Sequence, residues 1–297
     1  MAQKNPDPRD AGPKPPFPEQ TQPAPGFEGR MDPQPDYGEQ SYKGFGRLKD
    51  RVALVTGGDS GIGRAVCLAF AREGADLAVS FLNESEDAKQ VQRITEEAGR
   101  QALLLPGDLS VEAHCRKLVE DTVKRFGRID ILVNNAAFQG HSVEKFEEID
   151  PERLERTFRT NILGYIWMIR SCLPRMAEGA AIINTTSITA YKGSPELPDY
   201  AATKGAIVAL TRSLSQKLWK SQKIRVNAVA PGPIWTPLIP ASFSEERTAS
   251  HGGSAPMERA GQPDEVAPCY IFLASEQDSS FITGQVLHPN GGAVVNG

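Results

Sequence analysis

The sequence predicts an α/β protein: a single doubly wound parallel sheet of about seven strands with helices on both faces. Two observations carry this. From Arg51 onward, short apolar runs alternate with helical patterns of roughly 10–20 residues, the signature of strand–helix–strand units. The runs stop at glycine or proline, and residues 41–297 suffice for one domain of this kind.

Residues 51–56, Arg-Val-Ala-Leu-Val-Thr, are apolar without alternation, as a strand buried on both faces requires. A helical pattern follows through Ile62, Val66, Ala69 and Phe70 and closes at Gly74. The second strand is expected at 75–81, followed by a charged helix at 84–98 with Gly99 behind it. Leu103–Leu105 make the third, stopped by Pro106-Gly107. A helix at 110–126 leads to a fourth strand at 129–133, and one long helical region at 150–178 leads to a fifth at 180–186. Helix 199–220, strand 224–230, a helix near 264–274 and a last strand near 285–288 complete the pattern.

Residues 1–40 have a different texture. They hold ten of the 23 prolines, no Val, Ile or Leu, and a net charge of −3 out of −4 for the whole chain. A segment so poor in branched apolar residues buries too little surface to offset its ordering entropy. It reads as a proline-rich, extended or disordered arm before a domain at 41–297. Disorder is expected in about the first twenty residues, and a docked arm after about residue 27. Phe17, Phe27, Met31, Tyr37, Tyr42 and Phe45 are the candidate anchors of an arm that lies along a neighbouring subunit.

The composition also excludes partners. A slightly acidic chain has no basic footprint for a nucleic-acid backbone. No apolar run approaches the roughly 18 residues of a membrane span, and no export signal opens the chain, so a cytoplasmic location is expected. Cysteines 67, 115, 172 and 269 lack the spacing of a metal site or a disulfide framework and read as small core thiols. His141 and His251 fall in loops near the active-site side and are expected at the surface.

Chemistry begins after the first strand. In Thr56-Gly57-Gly58-Asp59-Ser60-Gly61-Ile62-Gly63, Gly57 allows a tight turn and Gly61 a close backbone approach to a pyrophosphate. Gly63 lets helix and strand pack closely, and the helix N-terminus offers free N–H groups to phosphates. Further elements follow in order at strand ends: Asp108-Leu109, Asn134-Asn135-Ala136, Asn161, Ser187, Tyr200-x-x-x-Lys204, and Pro231-Gly232-Pro233-Ile234-Trp235-Thr236. On a helix, Tyr200 and Lys204 share a face one turn apart. A free phenol titrates near 10, and an adjacent ammonium favours the phenolate, which suits Tyr200 to general acid–base work. The run Thr185-Thr186-Ser187 leaves the choice of hydroxyl open.

This ordered set resembles the short-chain dehydrogenase/reductase family over about residues 48–297. Within it, Met31-Asp-Pro-Gln-Pro-Asp-Tyr37 and Ile282–Gly297 are similar to plant glucose and ribitol dehydrogenase homologues and to bacterial general-stress dehydrogenases with a proline-rich leader. The resemblance implies a Rossmann-like sheet, an NAD(P) cofactor, a homotetramer and an alcohol–carbonyl oxidoreductase acting on a sugar, polyol or small aldehyde or ketone. It implies Asn161, Ser187, Tyr200 and Lys204 as the catalytic set, with Asn161 holding a water, and no metal. Gly57, Asp59, Ser60, Gly61, Ile62, Gly63, Asp108, Leu109, Asn135, Ala136, Tyr200, Lys204, Pro231, Gly232, Ile234 and Thr236 are then the cofactor contacts, Asp108 at the adenine and Thr236 at the carboxamide. Asn134 is implied as a tie between the fourth and fifth strands. Where family members that use NAD carry an acid at the end of the second strand, this chain has Phe81 and Leu82, which leans toward NADP over NAD; Arg64 would assist a phosphate, whereas Asp59 and Glu84 lean the other way and leave dual use open. The alternatives are a non-catalytic dinucleotide-binding stress protein and an epimerase or lyase of the extended branch.

Overall fold

A computed structural model describes residues 7–295. Its strands are β1 (Val52–Thr56), β2 (Asp76–Phe81), β3 (Ala102–Pro106), β4 (Ile131–Asn134), β5 (Ala181–Thr185), β6 (Arg225–Val229) and β7 (Val286–Leu287). They form one sheet in the order β3-β2-β1-β4-β5-β6-β7, and every pair is parallel. The chain builds outward from β1 to β3, then returns past β1 to lay down β4 to β7. A crevice opens at the carboxyl ends of the strands where the direction reverses, between β1 and β4.

The helices are α1 (Gly61–Arg72), α2 (Ser85–Glu97), α3 (Glu112–Phe126), α4 (Pro151–Phe158), α5 (Gly164–Cys172), α6 (Thr189–Lys192), α7 (Pro198–Gln222), α8 (Glu245–Ala249), α9 (Pro263–Ala274) and α10 (Glu276–Ser279). Side chains alternate across each strand, so neighbours feed different cores. Ala53, Val55, Ile131 and Val133 join Val66 and Phe70 of α1, Val91 of α2 and Ile271 of α9. Leu54 and Leu132 join Leu118 of α3, Met168 of α5 and Leu218 of α7. Both faces of the sheet are therefore covered, which accounts for the unbroken apolar sequences of β1 and β5.

The long helical region expected at 150–178 is interrupted. A π-helical turn at Arg159–Leu163 separates α4 from α5, and a 3-10 turn at Leu173–Arg175 ends the run, with Pro174 unable to continue it. The interruption falls where Gly164 packs so closely on α3's entry loop that a Cβ would lie 2.9 Å from the Leu109 carbonyl oxygen. Helices α6, α8 and α10 were not expected, because four or five residues carry no readable period.

The N-terminal arm corrects one expectation. Residues 7–20 lie along the sheet domain, mostly exposed but anchored at Phe17, rather than disordered. Phe17 is buried and stacks on Trp235 with ring centroids 4.1 Å apart. Its N–H donates to the Ala249 carbonyl, the Gln22 N–H to Pro240, and the Arg259 guanidinium to the Pro8 carbonyl. Met31 is buried in the same cluster, and the Trp235 indole N–H donates to the Pro33 carbonyl at 2.8 Å. Prolines reduce the entropy that an unfolded segment has to lose, so a few aromatic anchors hold it without a core of its own. Phe45, expected as an anchor, is instead 83% exposed. Residues 1–6 of the predicted disordered stretch lie outside the described residues. Among the described residues no helix is long and apolar enough to cross a membrane, and no group of three or more His, Cys, Asp and Glu could hold a metal ion.

The arm joins the sheet domain through Glu73 at the end of α1. Its buried carboxylate accepts from the Arg47 guanidinium, the Tyr42 hydroxyl and the N–H groups of Phe45 and Arg47. Burial alone would raise its pKa, but these donors outweigh burial and hold it at about 2. The stabilisation is fully present above the ordinary glutamate range and is lost as pH falls from about 4.5 toward 2. Glu73→Gln is expected to lower unfolding free energy by about 3 kcal/mol at pH 7, because it breaks a buried hydrogen-bonded pair. In urea denaturation the gap to wild type should shrink as pH drops below about 4.5; a gap independent of pH would contradict this account.

Candidate functional site

The crevice is floored by the turn after β1. Gly57 has φ +60, and a Cβ there would lie 2.9 Å from the Ala136 Cα. A Cβ on Gly63 would collide with the Gly57 carbonyl oxygen at 1.8 Å. These two contacts let the turn fold tightly under the loop after β4 and start α1 at Gly61. Ser60 is the N-cap of α1 but makes no side-chain cap, and Ile62 is partly exposed on the first turn. The Asp59 carboxyl is buried, and burial together with Glu84 raises its pKa to about 7.

Asn135 sits at the end of β4 and locks this turn. Its side-chain amide donates to the Thr56 and Gly57 carbonyls at 3.2 and 3.0 Å, and its N–H and that of Ala136 donate to the Thr56 hydroxyl. Asn134 points into the sheet, where its amide donates to the Asn184 side chain and Asn184 in turn donates to Thr211. Asp108 accepts from the Ser110 N–H at 2.8 Å and pairs with Arg156 at 2.9 Å. Burial would raise its pKa, but the Ser110 hydrogen bonds and Arg156 lower it on balance. Leu109 is buried beside it.

Tyr200, Lys204, Ser187 and Asn161 converge on the other side of the crevice. Tyr200 and Lys204 lie on one face of α7, both buried, with the Lys204 Nζ 5.2 Å from the Tyr200 ring centroid. Nζ donates to the Thr185 carbonyl at 2.9 Å and stands 5.9 Å from the Tyr165 ring centroid. Lys204 forms no ion pair among the described residues, and burial brings its pKa down to about 7. Burial dominates at Tyr200 too. It pushes the phenol well above its ordinary value, and the Ser187 hydrogen bond only partly opposes that. The phenol is therefore a protonated acid here, rather than the lowered one that the Tyr–Lys spacing suggests.

The three hydroxyls at the end of β5 differ in what they touch. The Thr185 hydroxyl is shared with Tyr270 at 2.7 Å, and the Thr186 hydroxyl donates to the Lys204 carbonyl at 2.7 Å. The Ser187 hydroxyl, partly exposed beside the Tyr200 phenol, accepts from the Thr189 N–H at 3.2 Å. Tyr191 is elsewhere, edge-on to His288 at 4.9 Å. Asn161 lies in the π-helical turn, where its side chain is gripped by both backbone groups of Phe138 at 2.8 Å and donates to Thr203 at 3.1 Å. It thus ties the loop after β4 to α7.

The loop after β6 closes the site. The Pro231 carbonyl accepts from the Ile188 N–H, and Gly232 packs against Asn290, where a Cβ would lie 2.6 Å from the Asn290 Cα. Ile234 bridges to Gly261, and Thr236 stands 3.1 Å from where a Gly61 Cβ would be, which brings the loop onto the nucleotide turn. His251, expected at the surface, is buried near Trp235, and burial lowers its pKa to about 4. The C-terminal run folds back on its own domain, with the Met257 N–H donating to the Gly291 carbonyl.

Two groups have no sequence signal. Asp199, beside Tyr200, is buried and clamped by Arg153 at 2.9 and 3.0 Å and by Thr157 at 3.0 Å, which fixes the start of α7 against α4. Glu28 arrives from the arm, and its buried carboxylate accepts from the Gly61 N–H at 2.6 Å. Both contacts span tens of residues and leave no periodic trace.

Comparison with known proteins agrees with this geometry. A family model described as enoyl-(acyl carrier protein) reductase matches residues 57–294. "NADPH-dependent aldehyde reductase 1, chloroplastic" of Arabidopsis thaliana is 53% identical over 88% of this chain and 92% of its own length. "Glucose and ribitol dehydrogenase" of Daucus carota is 54% identical over 89% of this chain and 91% of its own. The crystal structure of a 3-ketoacyl-(acyl-carrier-protein) reductase from Brucella melitensis complexed with NADH superposes with a TM-score of 0.73 at 35% identity, over 82% of this chain and 98% of that one. With its seven-stranded parallel sheet, its glycine turn and these relatives, the chain belongs to the short-chain dehydrogenase/reductase family.

Proposed function

We propose that the protein is an NAD(P)-dependent oxidoreductase that interconverts an alcohol and a carbonyl compound, with Tyr200 as the general acid–base. The observation that carries the reading is the convergence of a buried, protonated Tyr200 with Ser187 and Lys204 beside a nucleotide turn. The turn fits a dinucleotide: helix α1 points its N-terminus into the crevice, and the glycines leave its backbone without side-chain cover, although the Gly61 N–H is taken by the Glu28 carboxylate. Gly57, Ser60, Gly61, Ile62 and Gly63 would hold the diphosphate, while Asp108, Leu109, Asn135 and Ala136 would border the adenosine half. Pro231, Gly232, Ile234 and Thr236 would border the nicotinamide half. Asp59 supports the turn from beneath. The bound nicotinamide supplies the redox chemistry by hydride transfer.

The residues do the rest. Ser187 holds the substrate oxygen by a hydrogen bond and keeps it against the phenol. Tyr200, kept protonated by burial, delivers its proton to a carbonyl oxygen being reduced. The Lys204 ammonium stabilises the phenolate left behind, and Thr185 keeps that ammonium in place. Asn161 and Asp199 fix the helices that bear this set. In the reverse direction the same phenolate accepts the proton of the alcohol; an aldehyde reductase is among the relatives. Trp235 and Ile239 make the covering loop partly apolar, so a small aldehyde or ketone fits it as well as a sugar or polyol. The homotetramer that the family resemblance implies belongs to this reading; light scattering at four subunit masses supports it, and one subunit mass contradicts it.

Tyr200→Phe is expected to bind NAD(P)H as the wild type does and to lose about two to four orders of magnitude in kcat for carbonyl reduction. Unchanged turnover, measured by cofactor absorbance against aldehydes and ketones, would remove Tyr200 from the mechanism.

A further inference from the structure

The arm puts a carboxylate into a cofactor site made otherwise by the sheet domain. Glu28 is 1% exposed. One of its oxygens accepts from the Gly61 N–H at the N-terminus of α1, and the other is buried without a hydrogen-bond partner. The Glu28 N–H donates to Asp87 on the first turn of α2. Glu28 therefore stands where the nucleotide turn meets the start of α2, just beyond the end of β2. This is the corner where proteins of doubly wound topology read the 2′ position of the adenosine ribose: a carboxylate accepts from a 2′-hydroxyl, and a cation accommodates a 2′-phosphate.

The surroundings are acidic. Asp59 from the turn, and Glu84 and Asp87 from the entry to α2, are all buried nearby. The cation facing Glu28 is Arg64 on α1, whose guanidinium lies 3.9 Å from the Tyr37 ring centroid and donates to Gln90 at 2.7 Å, while its Nε is buried without a partner. The end of β2, with Phe81 and Leu82, offers neither an acid nor a cation to the ribose. The arm supplies the acid from elsewhere in the chain.

We propose that Glu28 is a specificity-determining residue for the dinucleotide, disfavouring the 2′-phosphate of NADP(H) and shifting preference toward NAD(H). This rests on the oxidoreductase reading above and opposes the lean toward NADP that the end of β2 alone suggests. Charge repulsion acts on the phosphate that only NADP(H) carries, so it separates the two cofactors rather than weakening both. Burial raises the Glu28 pKa to about 7, against the Gly61 N–H and Arg64, with Asp87 adding to the rise. The carboxylate is mostly ionised at pH 8 and mostly protonated at pH 6, so discrimination is strongest at the higher pH.

The test is the Kd of NADPH and of NADH, measured by ligand fluorescence at pH 8, for wild type and E28Q in the full chain. E28Q keeps an acceptor for the Gly61 N–H and removes the charge. The ratio of the NADPH Kd to the NADH Kd is expected to fall about threefold to tenfold in E28Q, as for loss of one charge near a partly solvated phosphate. If the fold rejects the amide, E28A makes the same test without asking for a new hydrogen bond. An unchanged ratio, or an equal loss of affinity for both cofactors, overturns the proposal and leaves the oxidoreductase reading intact. Failure of the wild type to bind either dinucleotide overturns both.

Discussion

The site is organised around one buried cation. Lys204 is enclosed between α7 and β5 with the Thr185 carbonyl as its hydrogen-bond acceptor and two phenol rings nearby, and no carboxylate neutralises it. A buried charge without a counter-ion is costly, so its surroundings must compensate. Here they are built to do so. The parallel sheet delivers the Thr185 carbonyl at the end of β5. The Thr186 hydroxyl caps the Lys204 carbonyl, and Tyr165 and Tyr200 present their rings to the ammonium. A carboxylate in this place would hold the lysine charged and screen the phenol from it. Its absence leaves Lys204 close to neutrality in pKa and free to respond to charge that develops on Tyr200.

The arm changes what counts as the site. Phe17 on Trp235, Pro33 on the Trp235 indole and Gln22 on Pro240 fasten the segment to the loop that covers the crevice. Glu28 carries the same segment onto the nucleotide turn. The loop after β6 and the turn after β1 are therefore both contacted by one strap, residues 17–33. The proline content that marks this segment as poor core material suits it to the task, because an extended chain with little entropy to lose binds through a few side chains.

What was legible in the sequence follows from the range of the interactions. The strands and the long helices are written in local periodicity, so β1 to β7 and α1, α2, α3, α7 and α9 were all expected near their observed positions. The Tyr200–Lys204 pair was legible because four residues on a helix is a local spacing. The π-helical turn that aims Asn161 at Phe138 was not, since nothing in residues 159–163 breaks a helical pattern; the close packing of Gly164 on Leu109 beside it is a long-range contact. Nor were Glu28 and Phe17, whose partners lie far along the chain. The Tyr200 phenol also ran against expectation. Spacing registers a lysine one turn away, but the burial that raises the phenol's pKa exists only once the chain has folded.

The step on which the proposed mechanism depends is assistance of proton delivery from Tyr200 by the Lys204 ammonium. It is tested most directly by the pH dependence of kcat/KM for carbonyl reduction at saturating cofactor, in wild type and Lys204→Met. Lys204 is charged below its lowered pKa of about 7 and loses its charge as pH rises through it. The account predicts that wild-type kcat/KM falls above about pH 7 and that this inflection disappears in Lys204→Met while the cofactor still binds. An inflection of the same position and size in the variant would contradict it.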